Sequence, residues 1–245
     1  MVRTVDSETR SRAVLAAAIN RYINDAMPVA SEDLAGDFAL SSATIRNIFS
    51  DLEAEGFLTH RYTSAGRVPT ERGYRYYVDF LLSQTALVEE EKESIVRKLR
   101  RELRRLEDAL EETSEVISAI THYAGIVSFL EWEDKFIYRG ISRILGHPEF
   151  QDLKNLRLII GLIEDKRRLL GIINRDFKGK VKIYIGKELE CPEMENCSLV
   201  VSSYRRKNKP SGRLAVLGPV RMEYRHAIPA LEYISDALSE VMDNF

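Results

Sequence analysis

The residues best suited to contact another molecule lie between positions 41 and 54. Ile45, Phe49 and Leu52 recur at helical spacing, which predicts a helix with one buried face. On the opposite side, arginine and asparagine carry forked hydrogen-bonding groups that suit guanine and adenine edges in the major groove of DNA. A polar outer face is also typical of any solvated helix, so the pattern alone leaves both interpretations open. The outward positions are Ala43, Arg46, Asn47 and Ser50, with Ser42 and Thr44 beside them in the first turn.

A short hairpin is predicted directly after this helix, over residues 57–69, and is called the wing below. Four arginines and one glutamate lie between positions 57 and 78, although residues 1–80 as a whole hold nine basic and eleven acidic residues. Concentrated positive charge, hydroxyl groups and exposed backbone amides suit DNA phosphates, which fix the register of a protein without reading sequence. The candidates for such backbone contacts are Arg61, Thr63, Ser64, Gly66 and Arg67.

Two helices are predicted before the Arg46 helix. The first has a buried face at positions 15–23 and ends at Pro28, because proline cannot donate a helical hydrogen bond. Ser31 is expected to cap a short second helix, and Ser41 to cap the Arg46 helix. Two short helices with a tight connection have helix-turn-helix spacing. Residues 1–82 are therefore predicted to form a winged helix-turn-helix DNA-binding domain.

Composition and motifs limit the classes of function that the chain can have. The chain has 245 residues and a formal net charge of −2, so DNA affinity would have to come from a local patch. It contains no phosphate-binding glycine loop, nucleophile elbow or zinc spacing, so we expect no enzyme, no catalytic residue, no metal and no cofactor. Two cysteines, no long apolar run and charges throughout the first 20 residues predict a cytoplasmic protein without a membrane segment.

Residues 83–122 are highly charged, lack proline and glycine, and are predicted to form a long connector helix. Apolar residues alternate there at spacings of three and four, which is the heptad pattern of a coiled coil. A long helix that packs on its own C-terminal domain produces similar spacing, so both arrangements stay open, with the intermolecular one favoured. The dimerisation candidates are Val96, Leu99, Leu103, Leu106, Leu110, Ile117 and Ile120, with Thr113 as the one polar position.

Residues 123–245 contain most of the glycines and the β-branched runs. A helix is predicted from Leu153 through Ile173, strands over 181–185, 198–204 and 212–217, and a closing helix over 227–242. An antiparallel sheet with helices on one side would make this an α+β domain. The basic turn at 205–209 is interpreted as solvated.

Several longer motifs resemble those of the HrcA family of heat-inducible transcription repressors. The N-terminal motifs are SSATIRN at 41–47, DLE at 51–53, TSAGRVPT at 63–70 and GYRYYVD at 73–79. A second block consists of GHPEF at 146–150, YIGKE at 184–188, CSLV at 197–200 and LGPVRMEY at 217–224. The two blocks lie in both halves of the chain, in the family's order.

The resemblance implies a dimeric winged-helix repressor that binds an inverted-repeat operator on double-stranded DNA ahead of chaperone genes. It also implies that the chaperonin maintains repressor activity, and that the C-terminal domain is GAF-like and interrupted by a dimerisation insert. This chain is shorter than its relatives. It passes quickly from Ser128 to Tyr138, so the first GAF strands and the insert are expected to be largely missing. Ser42 replaces a usual proline, Ile48 a glutamate, and Arg61-Tyr62 a Pro-His pair.

Two alternative functions are compatible with the same sequence features. The chain could be a ligand-sensing GAF-type regulator of other genes, or a chaperonin-interacting protein that no longer binds DNA. The intact TSAGR motif in the wing argues against the second alternative, because such a surface has no evident folding role.

Overall fold

The computed structural model describes residues 7–60, 66–82, 87, 89–99, 106–131, 136–151, 153–175, 178–207 and 209–243. It divides the chain into two compact units, Met1–Ser83 and Gln84–Phe245. Helices and antiparallel strands occur in both, so the predicted α+β class is confirmed. Within the described residues, no helix is long and apolar enough to cross a membrane.

The described part of the first unit contains four helices and a two-stranded antiparallel sheet. Ser41 caps the third helix as predicted, because its hydroxyl oxygen accepts a hydrogen bond from the Thr44 backbone N–H at 3.1 Å. The prediction for Ser31 is wrong by one position. The second helix begins at Ser31 itself, and the N–H of Ala30 donates to the Asp33 carboxylate at 2.8 Å. The elements are α1 (Ser7–Asp25), α2 (Ser31–Ala35), α3 (Ser42–Ala54), β1 (Leu58–Thr59), β2 (Val68–Pro69) and α4 (Glu71–Leu81).

Apolar side chains from all four helices form the core of this unit. Tyr74 and Tyr77 of α4 are 3% and 1% exposed, so their interpretation as core residues is confirmed. Thr70 caps α4 and joins it to the strands, because its hydroxyl donates to the Gly56 carbonyl at 2.7 Å and accepts from the Gly73 N–H. The other core residues include Leu15, Ile19, Leu34, Ile45, Leu52, Val78 and Leu81.

The described part of the second unit is built on a five-stranded antiparallel sheet. The elements are α5 (Glu89–Leu99), α6 (Leu106–Thr121), β3 (Ala124–Phe129), β4 (Phe136–Arg139), α7 (Ile141–Leu145), α8 (Leu153–Glu164), α9 (Lys166–Ile173), β5 (Val181–Ile185), β6 (Cys197–Arg206), β7 (Lys209–Pro219) and α10 (Tyr224–Met242). The strand order in the sheet is β4-β3-β7-β6-β5.

Helices cover both faces of this sheet, which corrects the prediction of a one-sided layer. On one face, Ile126 and Leu217 share a core with Ile159 of α8 and with α9. On the other face, Gly125 lies so close to α6 that an added Cβ would be 2.4 Å from the Ser114 carbonyl oxygen. The strands are therefore buried on both sides, which explains their nearly continuous apolar runs.

The single helix predicted from Leu153 to Ile173 is two helices. The side chain of Asp165 accepts a hydrogen bond from the Arg168 N–H and starts α9 there. Leu153 and Ile160 of α8 are 70% and 41% exposed. Ile159, Leu162 and Ile163 turn inward instead.

The predicted connector is also two helices, and both belong to the second unit. If the connector were one straight helix, residues 99 and 106 would be about 10 Å apart, and every other residue pair between the two segments would be farther apart. The observed α5 and α6 instead pack against each other, and both pack against α10. Near the start of α5, the Glu91 carboxylate lies 2.9 Å from Nε2 of His226 in α10.

This packing removes three residues from the proposed intermolecular seam. Leu110, Thr113 and Ile117 are completely buried within this chain, where α6 packs on the sheet and α10, so they are not available to a second copy. Val96, Leu106 and Ile120 are half-buried. Leu103 and the side chain of Leu99 lie outside the described residues.

Candidate nucleic-acid interface

The outer face of α3 has the orientation that the sequence predicts. Ile45, Phe49 and Leu52 are at most 3% exposed, so they fix the rotation of the helix in the first unit. Ile48, which replaces the family's usual glutamate, is also buried. The four predicted outward side chains, called the α3 face below, are all exposed: Ala43, Arg46, Asn47 and Ser50.

Arg46 is the cation of the α3 face. Its side chain is 65% exposed, and Nη2 lies 3.5 Å from Oε1 of Glu32 on α2, itself 67% exposed. An ion pair in this much water contributes at most about 1 kcal/mol, because solvent screens the attraction. The pair therefore positions the guanidinium only weakly and leaves it available to a stronger acceptor.

The hydroxyl groups at the start of α3 are less accessible than the α3 face. Ser42 and Thr44 are half-buried. The Thr44 hydroxyl lies 2.8 Å from the Ser41 hydroxyl within the helix cap. The Thr44 hydroxyl therefore supports the Ser41 cap at the N-terminus of the helix, where backbone N–H groups are suited to a phosphate.

Only the base of the wing lies within the described residues. Arg61, Thr63 and Ser64 lie outside them. Gly66 is packed against the chain between α1 and α2, where an added Cβ would be 2.5 Å from the Val29 carbonyl. Any larger residue at position 66 would force the wing away from this contact.

Val29 adds a third chain segment to the two-stranded sheet, which the sequence analysis missed. Val29 and Arg67 exchange two backbone hydrogen bonds, of 2.9 and 2.8 Å, in an antiparallel bridge. An extended residue after Pro28 is the only sequence signal for this bridge. The bridge anchors the return arm of the wing next to the start of α2.

The Arg67 side chain is bound to α3 through one of its guanidinium nitrogens. Its Nε donates to Oε2 of Glu53 at 3.0 Å, and the side chain is only 24% exposed. The other carboxylate oxygen of Glu53 is in contact with Nδ1 of His60. The contact of Arg67 with the DNA backbone stays a prediction, since the bond to Glu53 involves its Nε.

The positive charge counted downstream of α3 is also partly engaged within the unit. The Arg72 guanidinium lies 4.9 Å from the centre of the Phe57 ring, and Arg75 lies 3.5 Å from Asp79. Such contacts hold both side chains on the body of the unit. The exposed Arg46 is thus the described arginine best placed to meet another molecule from α3.

No described part of the chain holds three or more histidine, cysteine or acidic side chains arranged to bind a metal. Cys191 and Cys197 are buried free thiols in the second unit. Burial raises the pKa of both, and at Cys191 a hydrogen bond to Glu193 raises the pKa further. Both thiols therefore stay protonated at neutral pH and are poor nucleophiles.

Two motifs of the second block meet in a polar cluster, called the Arg221 cluster below. Arg221 Nε donates to Glu149 at 2.5 Å, and an Nη of Arg221 lies 3.3 Å from Nδ1 of His147. The Tyr123 ring stacks on His147, with 5.5 Å between ring centres. Burial, followed by the charge of Arg221, lowers the pKa of His147. These contacts join the segment after α7 to the turn after β7.

Comparison with known proteins identifies the family of this chain. The family model described as "HrcA protein C terminal domain" matches residues 86–228. A heat-inducible transcription repressor HrcA from Syntrophobacter fumaroxidans is 28% identical, with 97% of this chain and 98% of the relative covered. The repressor of the same name from Carboxydothermus hydrogenoformans is 26% identical, with the same two shares covered.

The alignment with the Syntrophobacter protein runs over 341 positions. Since 97% of 245 residues is about 238, that relative carries about 100 residues that have no counterpart here. A crystal structure titled as a hypothetical protein at 2.2 Å resolution has a TM-score of 0.80 with this chain, at 18% identity. The match covers 96% of this chain and 98% of the other, so the two proteins share a fold.

Proposed function

This chain belongs to the HrcA family, and from that premise we propose that it represses chaperone genes by binding an inverted-repeat operator on double-stranded DNA. Residues 1–82 would act as a winged helix-turn-helix, with α3 as the recognition helix. The α3 face is the observation that carries this proposal. It places one arginine and one asparagine in solvent on a helix whose opposite side is fixed in a core.

The residues of the α3 face divide by chemistry. Arg46 and Asn47 would read base edges in the major groove, because their forked groups form paired hydrogen bonds with guanine and adenine. Ala43 and Ser50 are small enough to let the helix approach the bases closely. Ser42 and Thr44 would hold the helix N-terminus against a phosphate. In the wing, Arg61, Thr63, Ser64 and the Gly66 amide would contact the DNA backbone.

An inverted repeat requires two copies of the unit related by a two-fold axis, so we propose a homodimer. Because Leu110 and Ile117 are buried within their own chain, the dimer would use other surfaces of the second unit. We propose that the second unit is a GAF-like domain that uses no cofactor. The chaperonin would adjust repressor activity, as the resemblance to the family implies.

Titration onto labelled DNA tests this function. The duplex carries the family's inverted repeat, a scrambled duplex serves as the control, and both are measured at two salt concentrations. We expect binding to the repeat to be about a thousandfold tighter than to the scrambled duplex, with two chains bound per repeat. Equal, salt-sensitive binding to both duplexes would contradict operator recognition, because it reports phosphate contact alone.

A further inference from the structure

We propose that Glu53 is a positioning residue that sets the angle between α3 and the wing, and that Arg67 acts on DNA through Glu53 rather than by touching a phosphate. This inference rests on the proposed function. It concerns a carboxylate on the helix that would read DNA, and a negative charge there would otherwise only repel phosphates.

The contacts of Glu53 place it between the two arms of the wing. His60 follows β1 on the outgoing arm, and Arg67 precedes β2 on the return arm. Arg67 Nε donates to Oε2 at 3.0 Å, whereas Nδ1 of His60 contacts Oε1. One carboxylate therefore holds both arms at the point where the wing leaves the body of the unit.

The burial of the Glu53 and Arg67 side chains indicates that their ion pair stabilises the unit. The side chains of Glu53 and Arg67 are 25% and 24% exposed. By contrast, Arg46 and Glu32 on the same unit are about two-thirds exposed. A pair that is mostly withdrawn from water is screened less, so its geometry is held more firmly.

Backbone contacts on the return arm of the wing also fix the position of Arg67. The two hydrogen bonds between Val29 and Arg67, and the close approach of Gly66 to Val29, leave little freedom at residues 66 and 67. The Arg67 side chain then ties that fixed point to the last turns of α3. A rigid link between α3 and the wing lets base contacts and backbone contacts form together, which avoids an ordering cost on binding.

The neighbouring Asp51 supplies a matched control. It is an exposed carboxylate on the same helix, two residues away, so Asp51→Asn removes the same charge as Glu53→Gln. If carboxylates on α3 only repel DNA, both substitutions tighten binding. If Glu53 positions the wing, Glu53→Gln weakens operator binding, by about tenfold, and Asp51→Asn does not.

The experiment combines operator titration with amide hydrogen exchange on the full-length protein. We expect Glu53→Gln, but not Asp51→Asn, to speed exchange of the Val29 and Arg67 amides by at least about fivefold. We also expect Arg67→Ala and Glu53→Gln to weaken operator binding non-additively, with the double variant no weaker than Arg67→Ala alone. Thermal unfolding of each variant shows that the unit is still folded.

Unchanged exchange at Val29 and Arg67 in Glu53→Gln would overturn the inference, as would additive losses of operator affinity. The exchange measurement needs no DNA. Consequently, if the wild-type protein failed to distinguish the operator from scrambled DNA, the proposed function would fail while the link between Glu53 and the wing could still be judged.

Discussion

The α3 face and the Arg221 cluster both contain residues from motifs shared with the HrcA family, yet the fold places them in opposite environments. Arg46 is 65% exposed and forms a single long ion pair. The Arg221 side chain is 12% exposed and contacts both Glu149 and His147. A motif residue left in water is available to a partner, whereas one withdrawn from water mostly stabilises its own unit.

The wing base lies between these two extremes and shows why motif membership alone does not assign a role. Gly66 and Arg67 come from the most distinctive motif of the chain, but the structure uses both to hold the wing in place. Exposure and partners therefore distinguish residues that are available to another molecule from residues that hold the unit together more reliably than the motif does.

The largest effect is expected at the Arg221 cluster, on the stability of the protein. Arg221→Ala leaves the Glu149 carboxylate without its nearest cation in a mostly buried site, so the free energy of unfolding should fall by about 2–3 kcal/mol. Urea denaturation measures the change. Arg225→Ala removes an exposed arginine four residues later and should stay within about 0.5 kcal/mol of wild type.

DNA binding by the folded Arg221→Ala protein should keep its preference for the operator over scrambled DNA. A lost preference together with unchanged stability would mean that the Arg221 cluster belongs to the DNA-binding machinery, contrary to the comparison.

The second largest effect is expected at the α3 face, and it should change DNA discrimination rather than stability. Arg46→Ala would remove the paired hydrogen bonds to a base that we propose for this residue, so discrimination between operator and scrambled DNA should fall by about 1–3 kcal/mol. Unfolding should change by less than about 0.5 kcal/mol, because the side chain is exposed. Arg21→Ala on α1 removes an equally charged, partly exposed residue and controls for net charge. Equal losses of discrimination in both variants would count against base reading by Arg46.

The smallest effect is expected from His147. Its pKa is lowered in the folded protein by burial and by Arg221, so protonation favours the unfolded state. Stability contributed by neutral His147 is therefore complete above its ordinary pKa of 6.5 and declines as pH falls through that value. Denaturation at a series of pH values between 7.5 and 5 should show this decline in wild type and a shallower one in His147→Gln. Parallel curves would show that His147 does not contribute.

Local patterns in the sequence predicted the α3 face because one helix with a 3.6-residue period determines which side is buried. The core tyrosines of α4 were predictable for the same reason, whereas the cap at Ser41 was predictable because serine is favoured just before a helix. The Glu53–Arg67 pair was not, because its members are 14 residues apart and meet only through the path of the wing. The Val29–Arg67 bridge spans a still larger part of the unit.

The second unit shows where a correct pattern supports two structures. Spacings of three and four at 96–120 describe a buried helix stripe but do not identify what covers it, and Leu110 and Ile117 face their own sheet and α10. The helices on both sides of that sheet did leave a signal. Cys197–Val201 and Leu214–Leu217 include runs of consecutive buried residues, and strands covered on only one face alternate instead.

The most direct test of the central claim is methylation interference on operator DNA. Guanines methylated at N7 before binding block arginine contacts in the major groove. With the wild-type protein, we expect methylation of guanines at symmetric positions in the two half-sites to abolish binding, and we expect at least one symmetric pair to lose this effect in Arg46→Ala. If no methylated guanine weakens wild-type binding, or if the same guanines interfere equally in Arg46→Ala, then Arg46 does not read bases in the major groove.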